Sequence, residues 1–150
     1  MSKQVWIIGV PSPCPRCDLV RQRVERLKKE ITTSINVKKI LFTDAEAVEF
    51  AASIGKKIGT VNDVAQKTGI KIDWKHFATI AKNPPNHPDD INDIDGPARQ
   101  WSPELDEALR PYQEKAESAG FVMTPVIIVD GEIKHHGSVP SIEQLRAWLS

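Results

Sequence analysis

Residues 5–17 read VWIIGVPSPCPRC. The first six of these residues are almost wholly apolar, a pattern typical of a short strand that is buried on both faces. The prolines that follow predict a stiff turn, and Pro15 suits the first turn of a helix, where a missing N–H has no partner to lose. Cys14 and Cys17 are therefore predicted to lie at the start of the first helix.

The predicted first helix has one apolar face. The residues of this face recur at steps of three and four, namely Cys17, Val20, Val24, Leu27 and Ile31. The arginines and lysines of the helix lie mostly off this face, and we expect them in solvent. Cys17 belongs to the buried face, whereas Cys14 precedes the first turn and is expected to be exposed. A resolving thiol and a nucleophile require this asymmetry.

Length and composition limit the classes of protein to which the chain can belong. Its 150 residues, 40% of them hydrophobic, suit one compact domain with a single core. The 20 basic and 20 acidic side chains cancel, so no global field attracts nucleic acid or an anionic membrane. No apolar run approaches the roughly 20 residues of a membrane span, and the N-terminal run is too short for a signal-peptide core. We expect a cytoplasmic monomer with no membrane partner and no nucleic-acid partner.

The two cysteines both lie in the sequence Cys14-Pro15-Arg16-Cys17. A disulfide that closes so small a loop adds little stability, and structural disulfides are rare in reducing compartments. Two thiols do not complete a four-ligand zinc site, so no metal is predicted. Because the N–H groups of a first helical turn stabilise a thiolate, we interpret Cys14 as a nucleophile and Cys17 as its resolving thiol. Arg16 either assists this stabilisation or points to solvent.

The remaining patterns predict a mixed α/β fold. Residues 36–43 are typical of a second strand, parallel to the first through a right-handed crossover. Residues 126–129 and 132–136 predict two further strands joined by an Asp-Gly hairpin turn. Ser141 and Gln144 form a capping box that begins the last helix.

A long, mainly helical segment lies between these two halves. Three short capped helices are predicted there, followed by an irregular loop over residues 83–103 and a further helix. We therefore expect residues 1–150 to form a single domain. Its core would comprise residues 4–43 and 104–150, with a helical insertion at about residues 44–103.

The order of these elements resembles the thioredoxin/glutaredoxin superfamily: a strand, a CPxC helix and a strand, then MTPVIIVDG at residues 123–131, a strand and a helix. The resemblance implies a thioredoxin fold, in which helices flank a four-stranded mixed sheet. It also implies that Thr124-Pro125 is the family's threonine–cis-proline, which lies beside the active cysteines and offers backbone groups to an extended substrate. Pro15 and Arg16, between the cysteines, are expected to contact substrate as well. No organic cofactor is implied, since the disulfide itself carries the electrons.

Two features differ from thioredoxins. Thioredoxins have a buried aspartate in the first central strand, under the cysteines, which manages the proton of the resolving thiol. The corresponding residues here are Trp6-Ile7-Ile8, so water or a residue of the insertion must handle that proton. The dipeptide between the cysteines is Pro-Arg, which is more similar to glutaredoxins and to the DsbA-type oxidases. The position of the helical insertion is also DsbA-like.

The predicted function is that of a thiol–disulfide oxidoreductase. Its Cys14–Cys17 dithiol would exchange with a protein or low-molecular-weight disulfide, and a redox partner would restore it. The alternative is a non-catalytic thioredoxin-fold protein that binds a ligand or carries a metal on the same cysteines. Additional metal ligands would have to come from the four histidines, His76, His87, His135 and His136. The last two are adjacent in a strand and point to opposite faces, so only one of them can face a given site.

Other patterns favour structural roles. Residues 60–79 resemble a helix-turn-helix, but the would-be recognition helix begins with an acid and has no arginine. The aspartates of the loop over residues 83–103 do not match a calcium-binding loop, so a solvated acidic loop is expected. Trp74, Phe77 and Trp101 are interpreted as packing residues of the insertion. If the insertion folds over the cysteines, its apolar residues would instead form one wall of a substrate groove.

Overall fold

A computed structural model describes residues 2–150, which form six strands, six α-helices and two short 3-10 helices. In chain order the strands and α-helices are β1 (Lys3–Gly9), α1 (Pro15–Glu30), β2 (Ile35–Leu41), α2 (Ala45–Ser53), β3 (Lys57–Gly59), α3 (Val61–Thr68), α4 (Trp74–Lys82), α5 (Pro103–Ser118), β4 (Phe121–Met123), β5 (Val126–Val129), β6 (Glu132–His136) and α6 (Ile142–Leu149). The 3-10 helices, Ile91–Asp93 and Gly96–Gln100, lie between α4 and α5.

The central sheet has the strand order β2-β1-β5-β6. β1 pairs with β2 in parallel, whereas the pairs β1–β5 and β5–β6 are antiparallel. Residues of β1 and β5 are among the most buried of the protein, as expected for the two central strands of a sheet that is covered on both faces. The predicted four-stranded mixed sheet flanked by helices is confirmed.

Helices α1 and α6 cover one face of this sheet. The predicted apolar face of α1 packs there: Val20, Val24 and Leu27 are fully buried beside Leu145 and Leu149 of α6. Complete burial of one such side chain contributes about 1.5–3 kcal/mol of hydrophobic stabilisation. The orientation of α1, and with it the placement of both cysteines, is therefore set by packing.

The helical segment forms a second core beside the sheet. Residues of α3, α4 and α5 pack together there with Leu19 of α1. The segment is not wholly helical, because its strand β3 pairs in parallel with β4. These two strands have three residues each, too few to show a period in the sequence. The boundaries of core and insertion stay a prediction.

Arg23 is buried, which corrects the prediction that the basic residues of α1 lie in solvent. Its guanidinium donates to both carboxylate oxygens of Asp90, at 3.0 and 2.9 Å, and to the carbonyl oxygen of Pro140 at 3.1 Å. Asp90 is buried as well, so the acidic loop is not solvated throughout. The bidentate geometry of the Arg23–Asp90 pair offsets the free-energy cost of burying both charges.

Helix ends follow the predicted caps closely. Capping boxes are present at Thr60 in front of α3 and at Ser141 in front of α6, and the Asp73 side chain caps α4. Asp44 stands at the N-cap position of α2, but its side chain makes no capping hydrogen bond there. Helix α5 continues through Pro111.

Candidate active site

The two cysteines lie at the N-terminus of α1, one turn apart. Cys14 is the N-cap residue, and its Sγ accepts a hydrogen bond from the backbone N–H of Cys17 at 3.4 Å. Both side chains are free thiols. Cys17 is only 1% exposed, whereas Cys14 is half-buried and thus more enclosed than predicted. The structure therefore shows one accessible sulfur with a second, enclosed sulfur behind it.

Gly9, the last residue of β1, allows Cys17 to pack against the sheet. A Cβ at this position would lie 2.9 Å from Sγ of Cys17, closer than real Cβ atoms approach, and 3.1 Å from the Cβ of Cys17, which is a tight contact. The same Cβ would lie 3.0 Å from Nη2 of Arg21, which donates to the carbonyl oxygen of Val10 at 2.6 Å. Glycine is required here by the close approach of the helix.

The pKa values of the two thiols are shifted in opposite directions. The pKa of Cys14 is lowered to about 6, and the main cause is a hydrogen bond from the Cys17 thiol. Burial opposes this shift, whereas the backbone N–H of Cys17 and the positive charge of Arg16 add to it. The same hydrogen bond, burial and the negative charge of Cys14 raise the pKa of Cys17 far above its ordinary value. Cys14 is therefore largely a thiolate at neutral pH, while Cys17 keeps its proton.

Arg16 is buried and holds the loop before α6. It is 7% exposed, and its guanidinium donates to the carbonyl oxygen of Gly137, so the alternative that it points to solvent is wrong. Asp106, in the first turn of α5, accepts a hydrogen bond from the backbone N–H of Val139 at 2.8 Å. Burial raises the pKa of Asp106, and Arg16 opposes this rise. Sequence reasoning missed Asp106, because an acid in a first helical turn is an ordinary surface feature.

The Thr124-Pro125 segment lies at the same site. Thr124 is buried and lines the same cleft as Cys14, and the Thr124–Pro125 peptide bond is cis. The backbone N–H of Thr124 donates to the carbonyl oxygen of Gly59 at 3.0 Å, and the carbonyl oxygen of Pro125 accepts from Gly137 at 3.0 Å. Strand β3 and the loop before α6 thus hold this segment from two sides.

Cys14 borders a cleft of about 350 Å³, which we call the apolar cleft. Its lining residues include Cys14, Trp74, Phe77, Ala78, Leu105 and Thr124. Pro15 and Arg16 line it as well, so three of the four predicted substrate contacts, Pro15, Arg16 and Thr124, border one cleft. Trp74 is 59% exposed and is therefore not a packing residue of the insertion, whereas Phe77 and Trp101 are buried as predicted.

His135 and His136 do not line the apolar cleft, and they have different neighbours. His135 contacts Ser138 and stacks near Trp148, while His136 contacts Glu117 and the backbone N–H of Met123. Over residues 2–150 no group of three or more His, Cys, Asp or Glu side chains is placed to share a metal ion.

The helices are short or amphipathic. Within the described part of the chain, none is both long enough and apolar enough to cross a membrane.

Comparison with known proteins bears on the C-terminal third of the chain. The family model described as "Thioredoxin domain" matches residues 103–150, which contain α5, the Thr124-Pro125 segment, the hairpin β5–β6 and α6. The matched residues include neither cysteine and none of the helices α2, α3 and α4, so the DsbA-like position of the helical insertion stays a prediction. No curated protein and no solved structure matches the chain. The sheet order is that of a thioredoxin-like fold, and residues 103–150 are similar to the thioredoxin domain family.

Proposed function

We propose that the protein is a thiol–disulfide oxidoreductase whose redox centre is the pair Cys14 and Cys17. The single observation that carries this proposal is the split between the two thiols at one helix N-terminus. The pKa of Cys14 is lowered to about 6, while that of the buried Cys17 is raised. Since the thiolate is the attacking species in disulfide exchange, this split assigns the first attack to Cys14 and the second to Cys17.

The reaction is a two-electron exchange in two steps. The Cys14 thiolate attacks one sulfur of a substrate disulfide; its S–S bond breaks, and one substrate half leaves as a thiolate. Cys17 then loses its proton to the leaving thiolate or to water and attacks Sγ of Cys14. This attack releases the second half as a thiolate and leaves a Cys14–Cys17 disulfide. The protein is oxidised, the substrate disulfide is reduced, and the reverse sequence oxidises a dithiol.

The surrounding residues support this sequence of steps. Arg16 contributes positive charge beside the Cys14 thiolate. Pro15, Thr124 and Pro125 are proposed to hold the substrate chain, with backbone groups of the Thr124-Pro125 segment pairing with it. No organic cofactor takes part in the proposed reaction. The proposed substrates are protein or low-molecular-weight disulfides and thiols, and a separate redox partner restores the starting state. Cysteine use confined to one reactive pair is consistent with a cytoplasmic location, and we propose a monomer there.

A thiol count on reduced protein tests the proposal. We expect bis(hydroxyethyl) disulfide to convert both thiols to an intramolecular disulfide, with release of two hydroxyethanethiol molecules per protein. The Cys17→Ser variant should stop as a mixed disulfide on Cys14, visible as an added hydroxyethanethiol mass. The Cys14→Ser variant, which keeps only the enclosed thiol, should react far more slowly.

Absence of reaction in the wild-type protein would contradict the redox function. It would favour the alternative, a non-catalytic protein in which the same cysteines hold a ligand or a metal. Measurement of zinc and iron in protein purified under reducing conditions would separate these two outcomes.

A further inference from the structure

The apolar cleft begins at the nucleophile and is walled by the helical segment. Cys14 lines it beside Trp74, Phe77 and Ala78 of α4. Its volume of about 350 Å³ is near the lower end of the roughly 300–1,000 Å³ of small-molecule sites. A space of this size accommodates one large side chain or a small ligand next to the reacting sulfur.

The charge of the cleft excludes strongly ionic groups. Among the described residues that line it, the charged groups are the Cys14 thiolate, which repels anions, and Arg16, whose guanidinium donates to the carbonyl oxygen of Gly137. A free carboxylate of a substrate would therefore lose its water without gaining a charged partner, which is unfavourable. The side chains of Thr60, Asn62 and Thr124, which also line the cleft, are polar but neutral.

Trp74 is a large aromatic side chain left in solvent at this cleft. It is 59% exposed, and its ring meets that of Phe77 edge-on at 6.3 Å. The residue one turn further along the helix is Ala78, which is exposed and leaves space in front of the cleft. An exposed aromatic wall next to an open space is typical of a binding surface for another apolar group.

We propose that the apolar cleft binds the aromatic or large aliphatic side chain next to the reacting cysteine of a neutral peptide disulfide. The inference rests on the redox function proposed above and names its substrate class. The chemistry is the exchange already described: the Cys14 thiolate breaks the peptide disulfide, Cys17 resolves the mixed disulfide, and two peptide thiols leave. The cleft binds the flanking side chain while the peptide backbone lies along the Thr124-Pro125 segment.

Two peptide disulfides that differ in a single side chain test this specificity. They are the disulfide-linked dimers of acetyl-Phe-Cys-amide and of acetyl-Ser-Cys-amide, which are both neutral. The second-order rate constant for oxidation of the reduced protein is measured for each dimer in single-turnover reactions. Burial of one phenyl ring predicts a rate constant about tenfold larger for the phenylalanine peptide.

Two variants of the cleft should lower this ratio. Ala78→Leu fills the space in front of Trp74, and Trp74→Ala removes the aromatic wall. Both positions are exposed, so neither change disturbs the core. The matched control is Thr79→Leu, an exposed residue of the same helix that does not line the cleft and whose variant should keep the wild-type ratio.

The outcomes separate the two proposals. Equal rate constants for the two peptides in the wild-type protein, or a ratio that neither cleft variant changes, would overturn the inference and leave the redox function standing. Failure of both peptides and of bis(hydroxyethyl) disulfide to oxidise the protein would overturn the redox function, and the inference with it. A ratio near ten that falls toward one in both cleft variants supports the inference.

Discussion

At the scale of single residues, the chemistry depends on how Cys14 ionises. With its pKa lowered to about 6, its thiolate fraction rises through pH 6 and is nearly complete by about pH 7.5. We expect the rate of alkylation of Cys14 by iodoacetamide to follow the same curve. The measurement is the rate of mass addition between pH 4.5 and 9, with a cysteine-containing peptide as reference. A midpoint near 8.5, the ordinary value for cysteine, would contradict the assignment.

Substitution of Cys17 tests the cause of the lowered pKa of Cys14. Its thiol is the largest single contribution to the lowered pKa of Cys14. A hydrogen bond to a charged group contributes about 1.5–3 kcal/mol, so Cys17→Ala should move the alkylation midpoint of Cys14 upward by roughly one to two pH units. Cys17→Ser keeps a hydroxyl donor and should give a smaller rise. A midpoint in Cys17→Ala that stays at the wild-type value would show that the backbone N–H groups and Arg16 suffice.

The sequence predicted the positions of the two cysteines better than their surroundings. A CxxC pair after a buried strand and before a proline-started helix shows which sulfur is outside, because helical periodicity places Cys17 on the packed face. The burial of Arg16 and Asp106 was not predictable, since their partners are a backbone carbonyl and a backbone N–H more than 30 residues away. The sequence gives no sign that position 9 requires glycine either, because this requirement comes from the close approach of helix α1.

At the scale of elements, the pair Arg23–Asp90 joins α1 to the loop over residues 83–103. Asp90→Ala leaves a buried guanidinium without its carboxylate, which should lower the free energy of unfolding by about 3–5 kcal/mol. The double variant Arg23→Met, Asp90→Ala should lose less, because no charge remains unpaired. Urea unfolding of the three proteins measures the difference.

A matched surface pair serves as the control for this prediction. Asp93 in the same loop pairs with Arg26, and its side chain is 58% exposed. Asp93→Ala should change the free energy of unfolding by less than about 1 kcal/mol. Equal effects of the Asp90 and Asp93 variants would mean that the buried pair does not hold the loop.

Some helices and strands could be located from the sequence, and others could not. Caps and periodicity located α3, α4 and α6, because these signals are local to each helix. The pairing of β3 with β4 was not predictable, since three-residue strands carry no alternation and their partner is about 60 residues distant. The side of α4 that faces the cysteines was equally undetermined, so Trp74 was interpreted as a packing residue.

At the scale of the whole molecule, the proposed substrate selectivity comes from the helical segment. The sheet with α1 presents the two sulfurs, and the match over residues 103–150 accounts for the Thr124-Pro125 segment that faces them. Helix α4 supplies the aromatic wall of the apolar cleft, and the Arg23–Asp90 pair fixes the loop that follows this helix. The proposed reactivity and the proposed selectivity thus depend on different parts of the chain, and we expect mutation to separate them.

The stability of the whole molecule should depend on pH in the reduced state. Below pH 6, Cys14 carries its proton in both the folded and the unfolded protein and contributes nothing to the pH dependence. Between pH 6 and about 8.5 only the folded protein has lost that proton, so the unfolded state binds more protons and stability rises with pH, by up to about 3 kcal/mol. The oxidised protein has neither thiol and lacks this gain, and its small disulfide loop adds little stability of its own.

Thermal unfolding with and without dithiothreitol should therefore show a reduced-minus-oxidised difference in Tm that grows from pH 6 to pH 8. Cys14→Ser under reducing conditions is the control and should lose this growth, and a difference that stays constant with pH would mean that the thiolate is not stabilised by the fold.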